Sequence, residues 1–287
     1  MKARTSRLLR KFLFAFCLAA IVLSVFLGGC GKFKSAIQSV LHSNRAATNS
    51  NHSAPATAPH PPSHQIASGP RLAIILDDVG GDSGSADAIF ALQYPLTLSV
   101  LPNHPHSTEI AEEAHRRGFQ VMLHLPMESV ANETPEGQEL RPGMTSGEIS
   151  QALNSMLSSV PFAAGVNNHQ GSLATSNPHL MAELMPLLRS HHLLFIDSRT
   201  TAATVAYNAA QSAGVAAAFR NVPFLDDVQE VGAIRRQLEL AAKDARERGQ
   251  AIAIAHPHPA TLRALSEFLP QAEAQGIQLV HASELVH

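Results

Sequence analysis

The chain has 287 residues, 45% of them hydrophobic, with 21 Lys and Arg against 23 Asp and Glu. The apolar fraction excludes a disordered chain, and a mean hydropathy of +0.01 excludes a polytopic membrane protein. The charge is uneven: residues 1–70 hold eight basic residues and no acid, which leaves 13 basic and 23 acidic residues, a formal charge of −10, for residues 71–287. An acidic body of this kind repels polyphosphate and argues against nucleic acid as a partner.

The first thirty residues read as an address. Five positive charges (Lys2, Arg4, Arg7, Arg10, Lys11) precede a 16-residue apolar run, Phe12–Leu27, and Leu27-Gly28-Gly29-Cys30 follows. This is the order of a secretory signal, with an uncleaved membrane anchor as the competing reading. The Cys after Leu-Gly-Gly also resembles a bacterial lipobox, in which Cys30 is lipidated and becomes the mature N-terminus. Either way the expectation is an exported envelope protein, periplasmic, membrane-anchored or a lipoprotein. Cys17 and Cys30 are the only cysteines, so the body is built without disulfides. Residues 31–69 turn to Ser, Ala, Pro, Asn and His and read as a disordered linker, its four histidines irregularly spaced.

From residue 70 to 287 short apolar runs alternate with helical periodicity. The strand-like runs are Arg71–Leu76, Leu96–Leu101, Phe119–Leu125, Phe162–Val166, Leu193–Ile196, Val215–Phe219, Ala251–Ala255 and Ile277–Val280. Helices are predicted over Ser107–Arg117, Ser146–Ser159, Pro178–Ser190, Val228–Arg248 and Thr261–Gln275, the second with Thr145 and Glu148 as a capping box. Gly118, Gly249 and Gly276 stand where helices must end before a strand. Unbroken alternation implies one α/β domain, a distorted (β/α) barrel of seven or eight parallel strands.

Polar residues gather just past the ends of these strands. Asp77 and Asp78 follow the first, Asn103 and His104 the second, and His124 ends the third. Asn167, Asn168 and His169 follow the fourth, Asp197 the fifth, Asn221 the sixth, and His256 and His258 the seventh. The C-terminal ends of parallel barrel strands share one face, where barrel active sites lie. Each element also has a structural reading. Asp77-Asp78 suits a turn with a helix cap, His124 a buried and hydrogen-bonded imidazole, and Asn167-Asn168-His169 a tight turn. Asp197 suits a strand-end salt bridge with Arg199. His256-Pro-His258-Pro reads as an exposed loop. The remaining body histidines (104, 106, 115, 179, 191, 192, 281 and 287) read as surface or structural.

The segments I-L-D-D-V-G (75–80), L-P-N-H-P (101–105), H-L-P-M-E (124–128), N-N-H-Q-G-S (167–172), F-I-D-S-R-T (195–200) and A-H-P-H-P (255–259) together resemble the divergent polysaccharide deacetylase family across residues 70–285. The resemblance implies a carbohydrate esterase-like barrel that removes acetyl groups from a glycan. Carried over, it makes Asp77 the general base, Asp78 a ligand of a divalent metal, and His256 or His258 the acid for the leaving group. The usual His-x-x-x-His pair is represented here by His124 and Glu128. The second imidazole place therefore falls to Glu128 or to His169, and His169 is preferred because Asp78, His124 and His169 form an O/N/N set with an open position. Zinc suits that set, and Mn, Co and Ni also fit. Glu128, Asn167, Asn168, Asp197 and Arg199 are supporting candidates. Two classes follow: a metal-dependent deacetylase acting on an envelope glycan, or a glycan-binding or scaffold protein without turnover. The body has no Trp and only two Tyr, which removes the usual wide stacking platform for long polysaccharides. A phosphoesterase is disfavoured by the scarcity of basic residues among those at the strand ends.

Overall fold

The computed structural model describes residues 69–131 and 137–287. The export segment with Cys30, and the linker up to residue 68, lie outside the described residues. The described residues fall in one compact unit.

Eight strands form, all parallel: β1 (Arg71–Val79), β2 (Thr97–Val100), β3 (Gln120–Met127), β4 (Gly165–Gln170), β5 (Leu194–Asp197), β6 (Ala217–Phe219), β7 (Gln250–Ala255) and β8 (Gln278–Val280). Their order is β6-β5-β4-β3-β2-β1-β7, with β8 paired to the first three residues of β1. Seven strands thus curl into a nearly closed barrel. Between β6 and β7 the wall is completed by the segment that follows β6. Asn221 donates its backbone N–H to Ile252 O (2.9 Å) and accepts from Ile252 N through Oδ1 (2.7 Å), and Leu225 N donates to Ile254 O (3.0 Å). A 3₁₀ turn, Ala282–Leu285, lies at the opposite end of the barrel from the strand C-termini and belongs to its interior cluster.

The strand period of two divides the core. Leu72, Ile74 and Leu76 of β1 pack outward under the helices, while Ala73 and Ile75 face the barrel interior with Met122, Ile196, Ile252 and Ile254. On β7 the outward residues are Ala251, Ala253 and Ala255, small enough to let a helix approach closely. Each buried Ile contributes about 1.5–3 kcal/mol by leaving water.

Seven helices are described: α1 (Ser83–Phe90), α2 (Ser107–Arg116), α3 (Ser146–Ser159), α4 (Pro178–Ser190), α5 (Ala206–Ala213), α6 (Val231–Arg248) and α7 (Pro259–Ala274). The capping box at α3 is present: Thr145 N donates to Glu148 Oε2 (2.8 Å) and Glu148 N to Thr145 Oγ1 (3.3 Å). Helix α7 starts two residues earlier than the periodicity predicts. Pro259 opens it, since its fixed φ suits a first helical position and its missing N–H costs nothing there. Helices α1 and α5 were not anticipated, being only eight residues each.

Two expectations about strand ends are corrected. Asp77 and Asp78 do not follow β1 as a turn; they lie inside it, where the register with β2 shifts between Leu76 and Val79. Asn167, Asn168 and His169 are not a tight turn either, but the body of β4, paired in register with His124, Leu125 and Pro126 of β3. The positive φ values fall one residue later, on Gln170 and Gly171.

Candidate active site

The inward-facing columns of β1, β3 and β7 each end in a polar residue at the barrel mouth. Above Ala73 and Ile75 stands Asp77, above Met122 stands His124, and above Ile252 and Ile254 stands His256. Strict alternation would turn Asp78 away from the mouth. The register irregularity in β1 prevents this: Asp78 takes φ +57°, a left-handed value that Asp tolerates better than most residues, and its carboxylate swings to the same side as that of Asp77.

Three donor atoms then meet. Asp78 Oδ1 lies 3.1 Å from His124 Nε2 and 3.0 Å from His169 Nδ1, and the two ring nitrogens are 3.2 Å apart. Asp77 Oδ2 is 3.7 Å from His124 Nε2. Asp77 is 1% exposed and His124 2%, whereas the Asp78 side chain is 35% exposed and opens the cluster to solvent.

Asn167 organises the cluster from below. Its Oδ1 accepts from Ser99 Oγ and from His124 Nδ1 (2.9 Å), and its Nδ2 donates to Asp77 Oδ1 (2.8 Å) and to Ser198 Oγ (3.3 Å). With Nδ1–H of His124 committed to Asn167, the lone pair of Nε2 is directed at Asp78 and His169. A lone pair facing a carboxylate is repulsive, so either a proton on Nε2, which would donate to Asp78, or a metal ion must lie between them. The edges of the triangle, 3.0–3.2 Å, match a shared ion. Donors about 2.0–2.1 Å from one ion are separated by about 2.9 Å in octahedral and about 3.3 Å in tetrahedral geometry. The donor set therefore fits a divalent metal. Asp78, His124 and His169 are among the described groups whose ligand atoms converge; Glu128 is not.

The electrostatics follow from these contacts. Burial pushes the Asp77 carboxyl above the usual range, against the pull of His124. At Asp78 burial acts upward too, but the His124 and His169 contacts outweigh it and hold the carboxyl well below its ordinary value. Burial pulls His124 down, and the charges of Asp77 and Asp78 reverse this to a raised value.

A second unit stands beside the triangle. His256 Nδ1 is 3.1 Å from Asp226 Oδ1, its backbone N–H donates to Asp226 Oδ2 (2.7 Å), and Thr261 Oγ1 donates to the same oxygen (3.0 Å). His256 Nε2 faces Asp78 Oδ2 at 3.7 Å. Burial lowers the His256 imidazole, but Asp226 and Asp78 overcome it and push it up to about 9. His258 stands at the N-cap position of α7 without a side-chain capping hydrogen bond, its ring 5.8 Å from that of His256. Asp226, His256 and His258 form a second converging group, although the Asp226 carboxylate is already consumed in fixing His256.

The supporting candidates separate. Asp197 makes no salt bridge to the Arg199 side chain: its Oδ1 accepts the Arg199 backbone N–H (2.8 Å) and its Oδ2 accepts from Thr204 Oγ1 (2.8 Å) and Tyr207 N (3.3 Å), which shapes the loop into α5. The Arg199 guanidinium lies over the Phe219 ring instead. Asn168 ties β4 to that loop, accepting from Ser198 N (2.9 Å). Glu128 stands beyond the end of β3 near Glu139, whose own carboxyl is raised by burial and by Glu128. Asp226, Ser99 and Ser198 escaped the sequence reading; the one signal for Asp226 was a Leu-Asp-Asp after the sixth strand.

A parallel barrel with carboxylates and imidazoles converging at the strand C-termini has its candidate site where (β/α) barrels carry theirs. The family model for divergent polysaccharide deacetylases matches residues 74–286, and the chain belongs to that family. It is 41% identical over 217 residues to the uncharacterised protein YibQ of Escherichia coli K12, covering 76% of this chain and 67% of that one. Among solved structures it resembles the uncharacterised protein ATU2773 of Agrobacterium tumefaciens (TM-score 0.74, 23% identity, 78% of this chain and 92% of that chain). It also resembles BA3943 of Bacillus anthracis, described as a CE4 family pseudoenzyme (TM-score 0.52, 11% identity, 76% and 66%).

Proposed function

We propose that this protein is a metal-dependent hydrolase that removes acetyl groups from a glycan of the bacterial envelope. The observation that carries this reading is the triangle of Asp78 Oδ1, His124 Nε2 and His169 Nδ1, flanked by Asp77 on one side and His256 on the other. Asp78, His124 and His169 would hold a divalent ion, zinc before Mn, Co or Ni, which would supply Lewis acidity toward an acetyl carbonyl. Asp77, fixed by Asn167, takes a proton from the attacking water. His256, oriented by Asp226 through Nδ1, keeps Nε2–H toward the site and passes a proton to the departing nitrogen or oxygen. The envelope location rests on the basic residues, apolar run and Cys30 of residues 1–30.

The pseudoenzyme BA3943 is a neighbour in fold, so the barrel alone does not carry turnover. The test is metal analysis of the purified chain, followed by acetate release from N- and O-acetylated glycan fragments. One bound divalent ion and released acetate are expected. Bound metal with no acetate from any fragment favours a glycan-binding module on the same fold. A chain that takes up no divalent metal overturns the hydrolase reading.

A further inference from the structure

Arg199 occupies an unusual position at the mouth. Its backbone has φ +51°, a left-handed conformation that costs a non-glycine residue about 1 kcal/mol or more. Four contacts hold the loop in that shape. Ser198 N donates to Asn168 Oδ1 (2.9 Å), Arg199 N to Asp197 Oδ1 (2.8 Å), Thr200 Oγ1 to Gln170 O (2.8 Å), and Arg220 Nη2 to Arg199 O (3.0 Å). Asn168 and Gln170 flank His169 on β4, so the loop is pinned beside the candidate metal ligands.

The side chain is placed as firmly as the backbone. The guanidinium carbon lies 3.5 Å from the centroid of Phe219, and Tyr207 braces that ring edge-on at 4.9 Å. Most other body arginines are spent. Arg220 bonds the carbonyls of Ser198, Arg199 and Val222, Arg116 and Arg117 bond Glu113, and Arg248 bonds Asp244. The Arg199 guanidinium has no hydrogen-bond acceptor among the described residues, and the residue is exposed. An exposed planar cation stacked on an aromatic face, with no acceptor of its own among the described residues, matches a carboxylate in two-point geometry. In a body of formal charge −10, it offers an anion a local exception.

We propose that Arg199 binds a carboxylate carried by the substrate, so that the glycan recognised is an acidic one. This rests on the hydrolase reading for the word substrate, but the binding site is tested apart from turnover. Titration calorimetry on the full chain compares two probes: N-acetylglucosaminyl-N-acetylmuramic acid and the same disaccharide with its carboxylate converted to a methyl amide. The parent binds the acid about tenfold more tightly. Arg199→Gln weakens the acid about tenfold and leaves the amide unchanged, the amide serving as the control for folding. No preference in the parent, no binding of either probe, or equal loss on both in the variant overturns the proposal. Acetate release is read separately. A carboxylate preference without acetate release keeps this site and refutes hydrolysis; release from both probes without preference does the reverse.

Discussion

The amide nitrogen of Asn167 donates to Asp77 Oδ1 at 2.8 Å while the oxygen of the same side chain accepts from His124 Nδ1 at 2.9 Å. One buried amide thus fixes a candidate base and a candidate metal ligand on neighbouring walls of the barrel. Asn167→Ala leaves both groups buried without a partner, at about 1–3 kcal/mol for each. The variant is expected to lose about 2–6 kcal/mol in urea unfolding and to bind zinc about 10–100-fold more weakly, as loss of an outer-shell partner does. Unchanged zinc affinity would show that Asn167 only supports the fold.

Asp226 acts on His256 by three contacts to one imidazole and its neighbouring loop: the ring Nδ1, the backbone N–H, and Thr261. Asp226→Asn keeps the volume and one acceptor but removes the charge and the directionality. Acetate release is expected to fall about a hundredfold or more with metal content unchanged. Loss of metal together with activity would place Asp226 in the metal shell instead.

The strands were legible because seven of the eight announce themselves as short apolar runs bounded by glycine or polar residues. β4 was only half legible. Its inward and outward faces carry Asn167, Asn168 and His169, and polar residues placed for a site erase the apolar pattern that marks a buried strand. The same effect hid the irregularity in β1, since Asp-Asp after an apolar run reads as a turn when only local propensity is weighed. The residues of the triangle were found because apolar runs stop just before or at each of them and the family resemblance assigned the ligand places, although in the structure they lie within the C-terminal halves of β1, β3 and β4. Asp226 was not, because its partner lies 30 positions later and only the tertiary fold brings the loop after β6 under the end of β7. Helix α5 was missed because it is short and its buried face is two alanines, Ala206 and Ala210, too small to mark an apolar stripe, while its start is set by the loop that Asp197 shapes.

The export reading makes its own prediction. If Leu27-Gly28-Gly29-Cys30 is processed as a lipobox, metabolic labelling with a fatty acid marks the parent chain, and Cys30→Ala abolishes the label. Equal labelling of both chains overturns lipidation at Cys30, and an unlabelled parent in the membrane fraction supports the signal-anchor alternative.

Gly165 at the start of β4 and Gly118 after α2 separate two reasons for glycine. A Cβ on Gly165 would lie 2.4 Å from Leu194 Cγ and 2.8 Å from Leu194 O, closer than any real contact, because β4 and β5 approach tightly there. Gly118 has nothing within 4 Å but a φ of +85°. Gly165→Ala is expected to cost about 1–3 kcal/mol through displaced packing, and Gly118→Ala about 1 kcal/mol through backbone strain alone. Thermal melts check both. In a double-mutant cycle, partial relief of the Gly165→Ala defect by Leu194→Ala, which removes Cγ and leaves the backbone oxygen, with no relief of Gly118→Ala, would confirm that only the first is a matter of space.

The metal site discriminates among its own residues. His169→Ala removes one of three converging donors, and since the triangle lies at the mouth, above the apolar interior, the barrel survives while the ion is lost. Metal analysis should find less than a tenth of the parent's content, with the melting temperature of the apo chain changed little. Asp77→Asn differs, because the residue flanks the triangle and does not close it: metal stays and acetate release stops. Glu128→Gln decides the ligand set. Glu128 stands outside the converging group, so the variant is expected to keep its metal at parental affinity. Loss of metal in Glu128→Gln, with retention in His169→Ala, would exchange the two residues and restore the carboxylate to the second imidazole's place.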